Sequence, residues 1–280
     1  MLVLGNYIMH YQSINQSVIM GHSIPMPFSH IRYTLMLCFS FFCLIYMHRQ
    51  GWFIYSENEK HLQVFFAVIL FVSIHILSVR SGLVALYAGL LCLLFYIVLF
   101  EKKYVAATLL LLVFTLVPFI TYRFVPSFQN KMNYMRYDLS GLATGEINNR
   151  YDVMRLASMK TGLLVWKQNK IIGTGAGDLG SAMNSIYETT LPQLLVTNRL
   201  LPHNQLVWVL ASLGVVGFSA FMFAFMFPLL INRYYRNWLF VVFHVTIFSS
   251  FFTEATLEEQ IGTGFYLLFL LVLLNQLKNE

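Results

Sequence analysis

QLVWVLASLGVVGFSAFMFAFMFPLLI, residues 205–231, runs for 27 residues without one charged side chain. An α-helix rises about 1.5 Å per residue, so a run of this length spans the roughly 30 Å hydrocarbon layer of a bilayer. A helix on the surface of a soluble domain would interrupt such a run with a polar face. Outward from it, six further apolar segments fall near 31–47, 62–79, 82–100, 104–122, 237–253 and 262–277. Composition agrees: 58% of residues are hydrophobic and 11% charged, with mean hydropathy +0.66, whereas soluble domains carry about a quarter charged residues. The expected fold is all-α, a polytopic membrane helix bundle of about seven spans with one large, partly helical extracytoplasmic loop.

The expected organisation is four N-terminal spans over 1–122, the loop over 123–203 and three C-terminal spans over 204–280, together one membrane domain. Lysine and arginine in short loops favour the cytoplasm. Arg49, Lys60, Lys102, Lys103, Arg233, Arg236 and Lys278 fall on one side, and only Arg32 and Arg80 on the other. That bias places the large loop, Arg32, Arg80 and the acidic turn 254–260 outside. An odd number of spans puts the N-terminus outside too. Residues 1–23 have no basic start and no clean apolar core of a signal peptide, so further helices are expected upstream of Met1.

The net charge of +6 invites a nucleic-acid reading. The basic residues, however, are scattered among hydrophobic runs rather than gathered on a soluble face. Cys38, Cys43 and Cys92 all lie in apolar runs, so neither a disulfide framework nor a zinc site is indicated.

The informative polar residues sit on the outward side. Arg80 lies in the turn Ser78-Val79-Arg80-Ser81-Gly82, and Arg32 opens the first span. Two readings fit them: arginines snorkelling to lipid phosphate, or guanidinium forks that bind a phosphate or pyrophosphate. Residues 148–169 read as one helix with Leu156, Met159, Leu163 and Trp166 on one stripe and small Ser158, Thr161 and Gly162 opposite. This is the pattern of a helix lying on a membrane surface or capping a bundle, with most of the stripe in ordinary packing. Arg155 and Arg150 near its start are its functional candidates. The glycines of Gly173-Thr174-Gly175-Ala176-Gly177 lack full dinucleotide-fingerprint spacing and read as a tight turn allowing close backbone approach. His203, followed by Asn204, stands just before the 205–231 run. It reads as a helix-capping residue or as a neutral imidazole able to take a proton from a sugar hydroxyl. His75 and His244 read as polar residues facing the bundle. Glu254, Glu258 and Glu259 form a turn with no basic residue, which fits a solvated turn, a partner for an arginine, or a site for acceptor hydroxyls.

These pieces, in order, resemble the O-antigen ligase and O-antigen polymerase superfamily of bacterial membrane glycosyltransferases. The resemblance rests on Arg80-Ser81-Gly82, Arg155-Leu156, Gly173-Thr174-Gly175, Pro202-His203-Asn204-Gln205-Leu206, Gly214-Val215-Val216-Gly217 and the acidic stretch 254–262. It implies glycan transfer at the periplasmic face of the inner membrane from undecaprenyl pyrophosphate to an acceptor, another glycan or a lipid A core, without metal or cofactor. By the same resemblance His203 is the base. Arg80 and Arg155 hold the pyrophosphate, with Arg32 as a further candidate. Arg150 is added from its place near the start of the loop helix, and Asn204, Glu254 and Glu258 are candidate acceptor or supporting residues. Family members carry ten or more spans, so this chain would be an N-terminally shortened member. A polysaccharide transporter or flippase, or a non-catalytic truncated remnant, are the alternatives.

Overall fold

A computed structural model describes residues 2–19, 24–52, 58–143 and 151–279. They form twelve α-helices, and no strand occurs among the described residues. In chain order these are α1 Leu2–Met9, α2 Tyr11–Ile19, α3 His30–Gln50, α4 Asn58–Leu77, α5 Arg80–Tyr96 (continued by a π-helical turn, Ile97–Glu101), α6 Tyr104–Phe124, α7 Pro126–Ala143, α8 Tyr151–Gln168, α9 Leu179–Thr190, α10 Gln205–Leu230, α11 Trp238–Phe251 and α12 Gln260–Asn279. Six of these stretches are long and apolar enough to cross a membrane: α3, α4, α5 with its π-helical turn, α6, α10 and α12. The seventh expected span, α11, has 14 residues. At about 21 Å it is shorter than the hydrocarbon layer. Apolar side chains face outward along the long helices; on α6 Val105, Leu109, Leu112, Leu116, Phe119 and Phe124 are all exposed. In water such a surface would aggregate, whereas in lipid it is the ordinary outside of a helix bundle.

The chain forms two compact units, Met1–Tyr134 with Tyr235–Ser249, and Met135–Tyr234 with Ser250–Glu280. In the first, α3 packs on α4 and α5, and Phe39, Phe42, Leu86, Phe240 and Phe243 are fully buried. Two glycines of α5 set how closely these helices approach. A Cβ at Gly89 would sit 2.5 Å from the Phe42 ring, and one at Gly82 would sit 2.6 Å from the Thr34 Cβ. Asn237 caps α11, accepting from the Phe240 amide at 3.1 Å and donating to the Tyr46 hydroxyl at 3.0 Å. His75 and His244 are buried, as expected for bundle-facing residues. His75 donates from Nδ1 to the Phe71 carbonyl at 2.7 Å, and its Nε2 meets the Tyr87 hydroxyl at 2.8 Å.

In the second unit α8 packs on α9 and α10 around Met154, Val165, Leu179, Met183, Tyr187 and Ala211. α8 buries its small-residue face, so ordinary packing of the large stripe is not what Leu156 and Leu163 do. Ser158, Thr161 and Val165 are inside, while Leu156 and Leu163 are 41% and 39% exposed. The physical reason is close approach: a Cβ at Gly162 would lie 2.8 Å from Val207 and 2.9 Å from Pro202, so the small-residue face is the one that fits against α10. Leu156 and Leu163 are left outside, where lipid can cover them, while Trp166 packs against the core.

A glycine break divides α10. Gly214 adopts φ 64°, ψ −169° in the middle of the helix. An uninterrupted helix would bond the amides of Val215 and Val216 to the carbonyls of Ala211 and Ser212. Here Val215 and Val216 donate instead to the Lys170 and Ile171 carbonyls at 2.9 and 3.2 Å. The released Ala211 and Ser212 carbonyls accept from the Thr174 and Gly175 amides at 3.1 and 2.8 Å. The loop after α8 thus satisfies all four groups that the break exposes, which an apolar environment makes obligatory. The expected tight glycine turn is present, with Gly173 at φ 70° and Gly175 at φ 92°, and its partner backbone is the break itself.

Candidate active site

His203 stands in the second unit, immediately before α10. Its position is set from two sides. Its backbone amide donates to the Ser158 hydroxyl at 3.2 Å, and that hydroxyl donates to the Arg155 carbonyl at 2.7 Å. Ser158 is fully buried, so it fixes His203 over the turn of α8 that carries Arg155. On the other side Asn204, not His203, is the N-cap of α10: its side-chain oxygen accepts from the Val207 amide at 3.0 Å. This satisfies one of the unpaired amides at the helix start and leaves the imidazole of His203 free of that duty. The Asn204 amide group also reaches the Phe252 carbonyl at 3.5 Å.

Burial and the Arg155 charge oppose protonation of His203. Burial pulls the imidazole below the ordinary histidine range, the Arg155 guanidinium pulls it further, and Glu259 works in the opposite direction. The net shift is downward, which favours the neutral ring at pH 7.

The acidic turn joins this cluster through Gln205, to which the sequence reading gave no role. Gln205 is fully buried. It donates to Glu258 Oε1 at 2.7 Å and accepts from the Leu257 amide at 2.8 Å, so one side-chain amide clamps the turn Thr256–Glu258 to the start of α10. Glu258 is therefore not simply a solvated carboxylate. Burial raises it above the usual carboxylate range and the Gln205 bond opposes that rise. Glu254 follows α11 in the same unit, its amide donating to the Ser250 carbonyl at 3.0 Å. The detectable signal for Gln205 was a long-chain amide opening an otherwise apolar helix. Replacing Gln205 with leucine is expected to cost about 2–3 kcal/mol, because the Leu257 amide loses its acceptor and Glu258 its donor. A lower melting temperature of the purified protein in detergent checks this, and an unchanged one removes the clamp.

The first unit carries Arg32 and Arg80. Arg32 lies in the first turn of α3 and is 4% exposed; Arg80 is the first residue of α5 and is half-buried. The Gly82–Thr34 contact sets the starts of α3 and α5 side by side. Cations at helix N-termini run against the helix dipole, which favours anions there, so these arginines add to a positive potential already present. Lys131, on α7, is a residue the sequence reading passed over. It carries Arg80 as a charged neighbour, and burial followed by that charge pulls its ammonium down to about 8. Arg150 lies outside the described residues. Among the described residues no group of three or more His, Cys, Asp or Glu side chains is placed to hold a metal ion.

A family model described as O-antigen ligase matches residues 65–222, more than half of the chain. The chain belongs to the O-antigen ligase family. A comparison with curated proteins found no match. Membership makes this a multi-pass bacterial membrane protein with glycosyltransferase-type activity. The part matched to the O-antigen ligase family runs from within α4 into α10 and contains Arg80, Arg155, His203, Asn204 and Gln205, while Arg32, Glu254 and Glu258 fall outside it.

Proposed function

We propose that this O-antigen ligase family member moves a glycan from undecaprenyl pyrophosphate to an acceptor hydroxyl at the periplasmic face of the inner membrane, without a metal ion. The observation that carries the reading is His203 held by its backbone amide, through the Ser158 hydroxyl, over the turn of α8 that bears Arg155. His203 removes the proton of the acceptor hydroxyl, the oxygen attacks the anomeric carbon, and the sugar–phosphate bond breaks with inversion. The electron pair leaves with the pyrophosphate, and charge builds on the departing oxygen. Arg155 and Arg80, supported by Arg32 and Arg150, stabilise that charge more as it develops, and an interaction that strengthens along the reaction lowers the barrier. Asn204 supports His203 as the cap of α10. Glu254 and Glu258 bind acceptor hydroxyls.

Replacing Arg80 or Arg155 with lysine keeps the charge and loses the planar two-pronged donor. Each change is expected to lower kcat/KM about 10- to 100-fold, the loss of one charge-assisted hydrogen bond. Wild-type rates in both variants would reduce the arginines to lipid anchors. The reading as a whole is tested by profiling glycans and lipopolysaccharide in a deletion strain. Accumulated lipid-linked polymer identifies a ligase, and single repeat units a polymerase. Unchanged glycans would overturn the proposal.

A further inference from the structure

We infer that the α8–α9 hairpin is re-entrant: its tip, around Ile171 and Ile172, is seated in the hydrocarbon of the bilayer beside α10 and binds phospholipid acyl chains. The inference needs only that α10 spans the membrane and does not depend on the transfer reaction above. Three contacts give the direction of the hairpin. The Ser158 hydroxyl meets the His203 amide at 3.2 Å, Gly162 lies against Pro202 and Val207, and the Lys170 and Ile171 carbonyls accept from the Val215 and Val216 amides. Successive turns of α8 therefore meet successive turns of α10, and α8 runs alongside it from His203 to the break at Gly214. α9 packs back on α8, and the Tyr187 hydroxyl donates to the Leu200 carbonyl at 2.9 Å, which returns the chain to the level of His203.

Depth follows from the length of α10 and the charges after it. Its 26 residues rise about 39 Å, against a hydrocarbon layer of roughly 30 Å. Arg233 and Arg236, just beyond Leu230, hold that end at an interface. The layer then takes in about 20 residues back from Leu230, and its other boundary falls near Ala211. Val215 and Val216 lie about 6–8 Å inside it, and the backbone bonds keep Ile171 and Ile172 beside them. A tilted α10 places more residues in the layer and takes the tip deeper. The surface fits that depth. Ile171 and Ile172 are 70% and 74% exposed, and with the exposed Leu213, Val215 and Val216 they continue the lipid-facing side of α10. Irregular backbone at membrane depth needs partners within the protein. Here the tip and the break satisfy each other, and the Gly173 amide donates to the Asn169 carbonyl at 3.0 Å. Lys167 and Lys170 are exposed against one carboxylate, Asp178, in the stretch 167–178. Lysine stems of this length reach up to lipid phosphate while the isoleucines stay among the acyl chains.

The test is a depth measurement on the full chain in phosphatidylcholine–phosphatidylglycerol liposomes. A nitroxide label is attached at Ile172→Cys, Val216→Cys or Thr189→Cys, with Cys38, Cys43 and Cys92 replaced by alanine. All three labelled positions are exposed, and Thr189 stands at the end of α9 away from the tip. Relaxation of the label by oxygen, which concentrates among acyl chains, is compared with relaxation by a water-soluble nickel chelate. The Ile172 label is expected to match the Val216 label and to favour oxygen severalfold more than the Thr189 label does. Nickel access at Ile172 equal to that at Thr189 places the tip in water and overturns the proposal. Exclusion of both probes shows the tip covered by protein and overturns it as well. A second measurement keeps the native cysteines: a photoreactive benzophenone amino acid at position 172 is expected to crosslink to phospholipid on irradiation, and a crosslink to protein alone contradicts the inference.

Discussion

Replacing His203 with alanine abolishes glycan transfer, with a loss of about 100- to 10,000-fold as expected for a general base, and leaves the protein folded in the membrane. The fold survives because the side chain is not the cap: the bond to Ser158 comes from the His203 backbone, and Asn204 caps α10. The activity does not survive because the side chain removed is the proposed base. The same geometry sets the pH profile. Burial and Arg155 hold the imidazole below its ordinary range, so the active neutral form persists as pH falls through about 6.5, where an unperturbed histidine protonates. The acidic limb of kcat/KM therefore lies below that value. Removing the positive charge by Arg155→Gln shifts the limb upward, towards the unperturbed value, in whatever activity remains. Wild-type transfer by His203→Ala, or an acidic limb well above 6.5, contradicts the base assignment.

Replacing Gly214 with alanine has the largest expected effect on folding. A Cβ there would lie 2.3 Å from the Ile171 carbonyl oxygen, and the backbone sits at φ 64°. Both obstacles are backbone, so no side-chain rotation relieves them. This positive-φ, extended-ψ backbone is essentially confined to glycine and costs roughly 1–3 kcal/mol with a side chain present. The clash then separates the 170–175 loop from the broken helix and strands up to four hydrogen bonds in apolar surroundings, each worth about 1–3 kcal/mol when left unmade. Gly173→Ala meets the same obstacle from the other strand of the contact, 2.4 Å from the Ser212 carbonyl. Both variants are expected to aggregate on extraction. Gly180→Ala, in α9 with nothing within 4 Å of its added Cβ, is expected to behave as wild type in gel filtration. Monodisperse Gly214→Ala protein would show that the break is not required.

What was legible in the sequence follows from which physical forces act locally. The long helices announce themselves because each must be apolar along its whole length, and the expected segments match α3 to α6, α10 and α12 closely. α11 shows the limit: its run is apolar enough, but the structured length is 14 residues. Inside the loop the signal was weaker. α9 carries Leu179, Met183, Ile186 and Tyr187 at helical spacing, all buried, a stripe visible in hindsight over only twelve residues. α7 starts with proline after Val125, a favoured helix opening that says nothing about what the helix touches. For α8 the stripe fitted a membrane surface as well as a packed face, and only the close approach to Val207 and Pro202 shows that the small face is the one buried. His203, Arg155 and Asn204 were legible as site candidates, and the structure brings them together. Gln205 was not, because its significance lies in a partner 53 residues away in sequence, Glu258.

The central claim is transfer from a polyprenyl pyrophosphate by an activated hydroxyl. Its most direct measurement is reconstitution of the full chain in liposomes with an undecaprenyl-pyrophosphate-linked glycan and an acceptor, in the presence of EDTA, reading free undecaprenyl pyrophosphate alongside the glycosylated acceptor. The account predicts that wild type forms both products in equal amounts and that His203→Ala forms neither. Glycosylated acceptor without release of undecaprenyl pyrophosphate, or equal turnover by His203→Ala, would contradict it.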